Sequence, residues 1–496
     1  MNSRLFTALG ITSALTLNMP VETQAQNQSE SFAQESQPNI LLIMVDDLVP
    51  ALHSFGLGYA VSPNIDQLVS QSTIFNSAYC SNPVCGASRA SMFTGLHPTP
   101  ERFTNFRSRA DEDVPEIPTI PEILKNNGYT TISLGKIFHN QDDHIDAAWS
   151  QPPQRNFIPH SAMLNPDSEN WIGGTRDRGP FYEIADVSDW DYLDGMVAKK
   201  AMEELGRLKD ADNPFFLAVG FMRPHLPFYA PRKYWEMYDR DEIPLAPFRE
   251  KPEGAPENLA GSPEILFYGQ KGMEYNSDEY HRIAKHGYLA CVSYVDALIG
   301  YLLEDLEKNG LADNTVIILV GDHGFHLGEH NFWGKHNLLH QSLHTPMIVA
   351  RPGQEHTQIN TPVSLVDLAP TILDLVNIEK PGYLHGQSLI NALDGKTDEL
   401  GGIIYSRFGE GDAVLDENWI YVEYHEEMWN NTMDEGILPE DWTQIEYDNG
   451  NRMLLDRQND PLEERNAVND PENSDVVKYL KARLQNFRRE AQIIEE

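Results

Sequence analysis

The chain has 496 residues, 41% hydrophobic and 23% charged, a globular composition that excludes a mainly disordered, fibrous or polytopic membrane chain and predicts one large domain plus a smaller one. Against 75 acidic side chains stand 37 basic ones, a formal net charge of −38, and a surface that negative excludes sequence-independent nucleic-acid binding. The same field would repel an anionic substrate, so any anion site has to be a local cluster of Lys, Arg and His.

In chain order, Arg4, an apolar stretch over 5–19 and the small-x-small site Thr23-Gln24-Ala25 predict a signal peptide over 1–25 and a secreted or periplasmic mature protein. Residues 26–38 are a polar, low-complexity linker. No later stretch offers about 20 uninterrupted apolar residues, so no membrane partner is expected. Short apolar runs at 39–45, 130–134, 214–220, 315–321 and 346–350, with helical patterns between them, read as buried strands of an α/β domain with a largely parallel sheet.

Ligands collect at the carboxyl ends of such strands, so the residues after each run are informative. Asp46-Asp47 follow the first. Cys85-Gly86-Ala87-Ser88-Arg89, with Thr94-Gly95 beyond, reads as a loop entering a helix, where free N–H groups favour an activated nucleophile and a bound oxyanion. Gly135-Lys136 and His139 follow the second run, and Met222-Arg223-Pro224-His225 the third. Residues 283–308 read as a helix in which Cys291 is a small hydrophobe. Asp322-His323-Gly324 and then Lys335 follow the fourth run. The three cysteines, Cys80, Cys85 and Cys291, do not make a disulfide framework.

Asp46-Asp47 and Asp322-His323 put three carboxylates and an imidazole at separate strand ends, a hard-oxygen set that suits Ca2+ or Mg2+. Zinc is the competing reading, because His323, His326, His330, His336, His340 and His344 fall close together, yet no HExxH or paired CxxC accompanies them. Calcium therefore ranks first. Beyond about residue 397 the pattern changes to strands near Ile403-Ile404-Tyr405, 419–424 and 454–456. A final helix carries one apolar stripe of Val477, Leu480, Leu484, Phe487 and Ala491. Trp429, Trp442 and Tyr447 are read as core residues, with a sugar cleft as the alternative.

Cys85-x-Ala87-x-Arg89 followed by Thr94-Gly95 resembles the signature of the type I sulfatases, Cys-x-Pro/Ala-x-Arg and then Thr-Gly, in which the cysteine is oxidised to formylglycine. Asp46-Asp47, Gly135-Lys136-x-x-His139, Pro224-His225 and the block from Asp322-His323-Gly324 to Lys335 stand in the family's order, so the resemblance covers most of the mature chain. The strings GKIFH, PFFLAVGFMRPHLPF and GDHGFHLGEHNFWGKH are most similar to the iduronate-2-sulfatase branch, which includes secreted polysaccharide sulfatases. This resemblance implies an alkaline-phosphatase-like fold, with a catalytic α/β domain over 39–397 and a C-terminal α+β subdomain, an antiparallel sheet plus a helix, over 398–496. It implies a sulfuric ester hydrolase matured by a formylglycine-generating enzyme. One Ca2+ would be held by Asp46, Asp47, matured Cys85, Asp322 and His323. Arg89 and Lys136 would steady the formylglycine, His139 would be the base that releases sulfate, and His225 and Lys335 would contact the sulfate, one of them protonating the leaving alcohol. Two departures stand out. Ala87 replaces the commoner Pro, and Met222-Arg223 replace the branch's His-Lys, which weakens any transfer of iduronate specificity. The expected substrate is a sulfated oligosaccharide or polysaccharide of marine type, desulfated from a chain end. A phosphomonoester or phosphodiester hydrolase on the same scaffold is the first alternative; a non-catalytic carbohydrate-binding module, the second, would not need both Cys85 and His139.

Overall fold

The apolar run Asn39–Val45 forms strand β1, buried at every residue because helices close both faces of its sheet. Leu41, Ile43 and Val45 point into one core and Ile40, Leu42 and Met44 into the other, the period-two alternation of a strand. The computed structural model describes residues 37–56, 59–171, 173–257, 259–424 and 451–492; the predicted signal peptide and Trp429, Trp442 and Tyr447 lie outside the described residues.

Around β1 stand β2 (Thr73–Tyr79), β3 (Thr130–Gly135), β4 (Phe215–Phe221), β5 (Thr315–Gly321), β6 (His344–Ala350), β7 (Thr357–Ile359) and β8 (Val363–Ser364). The order is β7-β2-β6-β5-β1-β4-β3, with β8 pairing β2 off that path. Strands β3, β4, β1 and β5 are mutually parallel, whereas β6 runs antiparallel to both β5 and β2. The sheet is thus mixed and mostly parallel, as expected. Strand β2 goes beyond the sequence reading: TIFNSAY has no continuous apolar run, and it is a strand because β6 pairs with it along most of its length and β7 and β8 along its other edge.

Helices α1 (Cys85–Thr94), α2 (Ile120–Asn126) and α5 (Leu368–Leu375) cover one face of the sheet; α3 (Leu193–Leu208) and α4 (Asp278–Lys308) cover the other. Helix α4 begins five residues before the predicted 283. The Ser277 side chain accepts from the Tyr280 N–H at 3.2 Å and Asp278 and Glu279 sit in the first turn, a capped, dipole-complementing start. Cys291 is buried within it, and all three cysteines are free thiols. No helix of the described residues is long and apolar enough to cross a membrane.

The C-terminal region forms the antiparallel sheet β9 (Ile404–Phe408), β10 (Gly411–Leu415), β11 (Trp419–Tyr424) and β12 (Arg452–Asp456), followed by helix α6 (Ser474–Glu490). Ile404, Leu415, Ile420, Val422 and Leu455 join the core that also packs on the large sheet, while Tyr405, Val414, Tyr421 and Leu454 meet Leu480 and Leu484 of α6. The predicted stripe is therefore the buried one, with an addition that apolar periodicity does not show. Arg488 is also buried, donating from Nε to Asp412 at 3.0 Å and from Nη1 to Glu423 at 2.8 Å. Tyr405 and Arg407 donate to the same Asp412, and Tyr421 to Glu423. Arg488→Met removes one charge from a dry, hydrogen-bonded network and leaves two carboxylates short of a partner, so urea unfolding should show a loss of about 3–5 kcal/mol.

Candidate active site

The carboxyl ends of β3, β4, β1 and β5 meet the N-terminus of α1. Two glycines allow the first of these approaches. Gly135 has φ +72° and a Cβ there would lie 2.0 Å from the Gly220 carbonyl oxygen, while a Cβ on Gly220 would lie 2.1 Å from that of Lys136. The resulting contact, Lys136 N–H to Gly220 O at 3.0 Å, brings the Lys136 ammonium onto Asp46 Oδ2. Asp46 is itself held by its N–H on Phe221 O at 3.1 Å. Asp47 has φ +61°, a left-handed conformation that costs a non-glycine residue about 1–3 kcal/mol. It persists because the Asp47 N–H donates to Asp322 Oδ1 at 3.1 Å and its carbonyl accepts from Tyr288 Oη at 2.7 Å. Its carboxylate then faces Lys335, with Nζ 2.6 Å from Oδ1.

Helix α1 is docked by Ser88 Oγ donating to Asp322 O at 2.5 Å and by Gly86, where a Cβ would lie 2.3 Å from Phe106 O. This seats Cys85, the first residue of the helix, with Sγ 3.1 Å from His323 Nε2. Arg89, one turn on and fully buried, donates to Asp322 Oδ2 at 2.9 Å, Asp46 Oδ1 at 3.1 Å, Lys136 O at 2.5 Å and Ile137 O at 2.8 Å. It therefore ties the ends of three strands together. His323 Nδ1 donates to its neighbour's carbonyl, Gly324 O, at 2.9 Å, which turns Nε2 toward Cys85, Asp47 and Asp322.

Ligand atoms of Asp46, Asp47, Cys85 and His323 all lie within 4.8 Å of one another, and the four residues are buried. Asp322 borders this set through Asp47, Arg89 and His323, its two oxygens already accepting hydrogen bonds from the first two. A divalent cation fits: Asp47 Oδ2 is buried with no hydrogen-bond partner, and the donors are mostly hard oxygens. The electrostatics agree. Burial pushes Asp47 up to about 8 against the pull of Lys335. His323 rises to about 9 because Asp322 and Cys85 outweigh its burial. Both shifts have the sign of a site short of positive charge. Burial opposes the charge on Asp46, but Lys136 and Arg89 overcome it and hold this carboxyl well below the usual range.

The remaining predicted residues lie around this centre. Burial, then Lys136, pushes His139 down to about 3, and its Nδ1 is buried without a partner. His225 Nδ1 donates to Leu226 O at 2.7 Å, and burial followed by Lys335 keeps this imidazole neutral too. Glu264, which no motif marks, faces both cation-side groups: Oε1 is 3.6 Å from His225 Nε2 and Oε2 is 3.7 Å from Lys335 Nζ. Arg223 turns inward and holds the carbonyls of Tyr229, His225 and His160, while Asp194 accepts from the N–H groups of Met222 and Arg223. Of the six clustered histidines only His323 enters the donor set; His326 pairs with Asn337, His330 donates to Leu462 O, His344 donates to Asn76 O, His340 stacks on His344, and His336 stacks on Phe408. Among the described residues they form no second metal cluster.

Residues 38–378 match the profile of the sulfatase family, and residues 328–490 match the profile described as N-sulphoglucosamine sulphohydrolase, C-terminal. Human iduronate 2-sulfatase is 33% identical over 368 residues, 69% of this chain, and the chain spans 64% of the human protein's length. A sulfatase of Formosa agariphila is 29% identical over 471 residues, covering 89% of this chain and 88% of its own. The solved structure of a phosphonate monoester hydrolase from Silicibacter pomeroyi aligns with a TM-score of 0.72 at 21% identity, over 91% of this chain and 95% of that one. The shared architecture is the alkaline-phosphatase-like fold. Because the family profile runs unbroken from β1 through Cys85 and the Asp322-His323 corner to the end of the large sheet, this chain belongs to the sulfatase family.

Proposed function

We propose that the protein is a secreted, formylglycine-dependent sulfatase that uses one Ca2+ to hydrolyse a sulfate ester of a carbohydrate, with 39–397 as its catalytic domain and 398–496 as its C-terminal subdomain. The observation that carries this reading is Cys85 at the first residue of a helix, 3.1 Å from His323 and within the electrostatic reach of Arg89 and Lys335. Those cations are the local cluster that a protein of charge −38 needs in order to hold an anion.

A cation held by Asp46, Asp47, Asp322 and His323 would supply Lewis-acid polarisation of a sulfate oxygen and acidify the neighbouring nucleophile. Matured residue 85 would carry a hydrated aldehyde, one hydroxyl for attack on sulfur and a second whose deprotonation expels sulfate. The chain's own residues do the rest. Lys136 and Lys335 offset charge on Asp46 and Asp47, Arg89 fixes both carboxylate-bearing strand ends, and helix α1 directs its free N–H groups at the developing anion. His139, whose Nδ1 has no hydrogen-bond partner, is the base that accepts the proton of that second hydroxyl. His225 and Lys335, joined by Glu264, face the leaving group. Sulfated sugars are favoured by the relationship to iduronate 2-sulfatase, and a pocket formed by strand-end loops suits a chain end.

Phosphoester hydrolysis is the second reading, favoured by the fold shared with the phosphonate monoester hydrolase. The test is release of sulfate and phosphate from matched sugar esters by the matured enzyme. Sulfate should dominate; phosphate ahead by more than about tenfold in kcat/KM, ~1.4 kcal/mol in transition-state binding, would overturn the sulfatase assignment.

A further inference from the structure

A cavity of about 220 Å3 has a lining that includes Gln141, Arg155, Asn156, His160 and Met222 and contains no carboxylate. The backbone puts Arg155 there. Gln154 bridges to β3, its N–H on Ser133 O at 3.0 Å and its carbonyl accepting from Gly135 N–H at 2.8 Å. Arg155 is thereby delivered to the strand end that also carries Lys136 and His139. Its Nη1 donates to Phe138 O at 3.2 Å and to His139 O at 2.6 Å. Among the described residues no carboxylate pairs with it, and no hydrogen bond involves Nε or Nη2. The contrast with the neighbouring arginines is sharp: Arg89 lies between two aspartates and Arg223 has all three nitrogens engaged.

The cavity adjoins the reaction centre. The His160 ring stands edge-on to His225 at 6.3 Å, Arg155 donates to the backbone of His139, and burial and Arg89 weigh against its charge more than Asp46 and Cys85 favour it. Gln141 and Asn156 spend their amides on each other and on Pro153 O, leaving Arg155 as the cationic donor. A half-buried guanidinium without a counterion, in a chain with 75 acidic groups, is costly unless an anion arrives with the ligand. Its free edge has the planar fork that matches an oxyanion in two-point contact. At about 220 Å3 the cavity is smaller than the ~300–1,000 Å3 of a site for a whole ligand, so it fits a substituent of a molecule anchored elsewhere.

We propose that this pocket is a specificity subsite in which Arg155 binds a second anionic group of the substrate, a carboxylate or a further sulfate on the sugar that carries the scissile ester or on its neighbour. The proposal rests on the sulfatase reading only in taking the first sulfate to sit at Cys85, His225 and Lys335.

The experiment compares parent, Arg155→Gln and Arg155→Lys enzymes on a monosulfated uronate disaccharide, a disulfated hexose and the corresponding monosulfated hexose. For Arg155→Gln, kcat/KM on at least one doubly anionic sugar should fall about 30-fold further than on the monosulfated hexose, mainly through KM. Arg155→Lys should recover part of the loss. The arm that falls identifies carboxylate or sulfate as the group bound. An equal fall on all three sugars would mean that Arg155 merely holds the Phe138–His139 carbonyls, and no fall would remove it from the subsite; either result overturns the proposal. The same sugars are titrated calorimetrically into Cys85→Ala protein with and without Arg155→Gln, with melting curves confirming that each variant is folded. Binding of doubly anionic sugars that depends on Arg155, together with no sulfate release by the parent, would sink the sulfatase reading and uphold the subsite. Binding indifferent to Arg155→Gln would overturn the subsite whatever the turnover.

Discussion

Cys85→Ala protein should release no measurable sulfate, a loss of at least about 10^4-fold in kcat for removal of a nucleophile, and it should melt close to the parent. The side chain is small, buried at the first position of α1 and outside the main apolar clusters, so its removal leaves a minor cavity while Ser88 and Arg89 still dock the helix. Cys85→Ser tests the mechanism more closely. Serine offers one hydroxyl, whereas the proposed cycle needs two on the same carbon, so this variant should fail to turn over. Peptide mass spectrometry of active protein made with a maturation enzyme should find an aldehyde at residue 85. An intact thiol in fully active protein would refute the formylglycine step.

Chelation should abolish activity and lower the melting temperature, and Ca2+ should restore both. Asp46, Asp47 and Asp322 converge in a dry corner where Lys136, Lys335 and Arg89 already stand against them, yet Asp47 Oδ2 still lacks a partner and Asp47 and His323 both shift toward holding a proton. A cation that binds only the folded state at 1,000 times its Kd adds about 4 kcal/mol of stability. Elemental analysis of the purified enzyme distinguishes calcium from zinc. If chelator leaves both melting temperature and turnover unchanged, the aspartates do not form an exchangeable cation site.

Much of this was legible in the amino-acid order because it is local. Strands β1, β4 and β5 are near-continuous apolar runs that stop abruptly at charged or polar residues, so both the strands and the strand-end residues Asp46-Asp47, His225 and Asp322-His323 announce themselves. The segment from Cys85 to Gly95 fits within one helix and its cap, where spacing alone sets which side chains share a face. The C-terminal stripe through Leu480 and Leu484 follows the 3.6-residue period for the same reason.

Other features were decided by the tertiary structure. Arg89, expected to steady the nucleophile, spends its donors on Asp46, Asp322 and two carbonyls, a role visible only once strands distant in the chain are side by side. Strand β2 depends on pairing with β6, Arg488 sits on an otherwise apolar face because Asp412 and Glu423 lie opposite it, and Asp47 adopts its left-handed turn because Asp322 and Tyr288 hold it. Arg155 and His160 come from loops and Glu264 from the start of a one-turn 3-10 helix, Glu264–Phe267, segments with neither periodicity nor motif. A residue in such a segment acquires its role from whatever the folded sheet places next to it, here His225 and Lys335 for Glu264, and the edge of β3 for Arg155. Periodicity encodes which face of an element is buried; it carries no information about which loops will converge, because that depends on the order and direction in which the strands assemble.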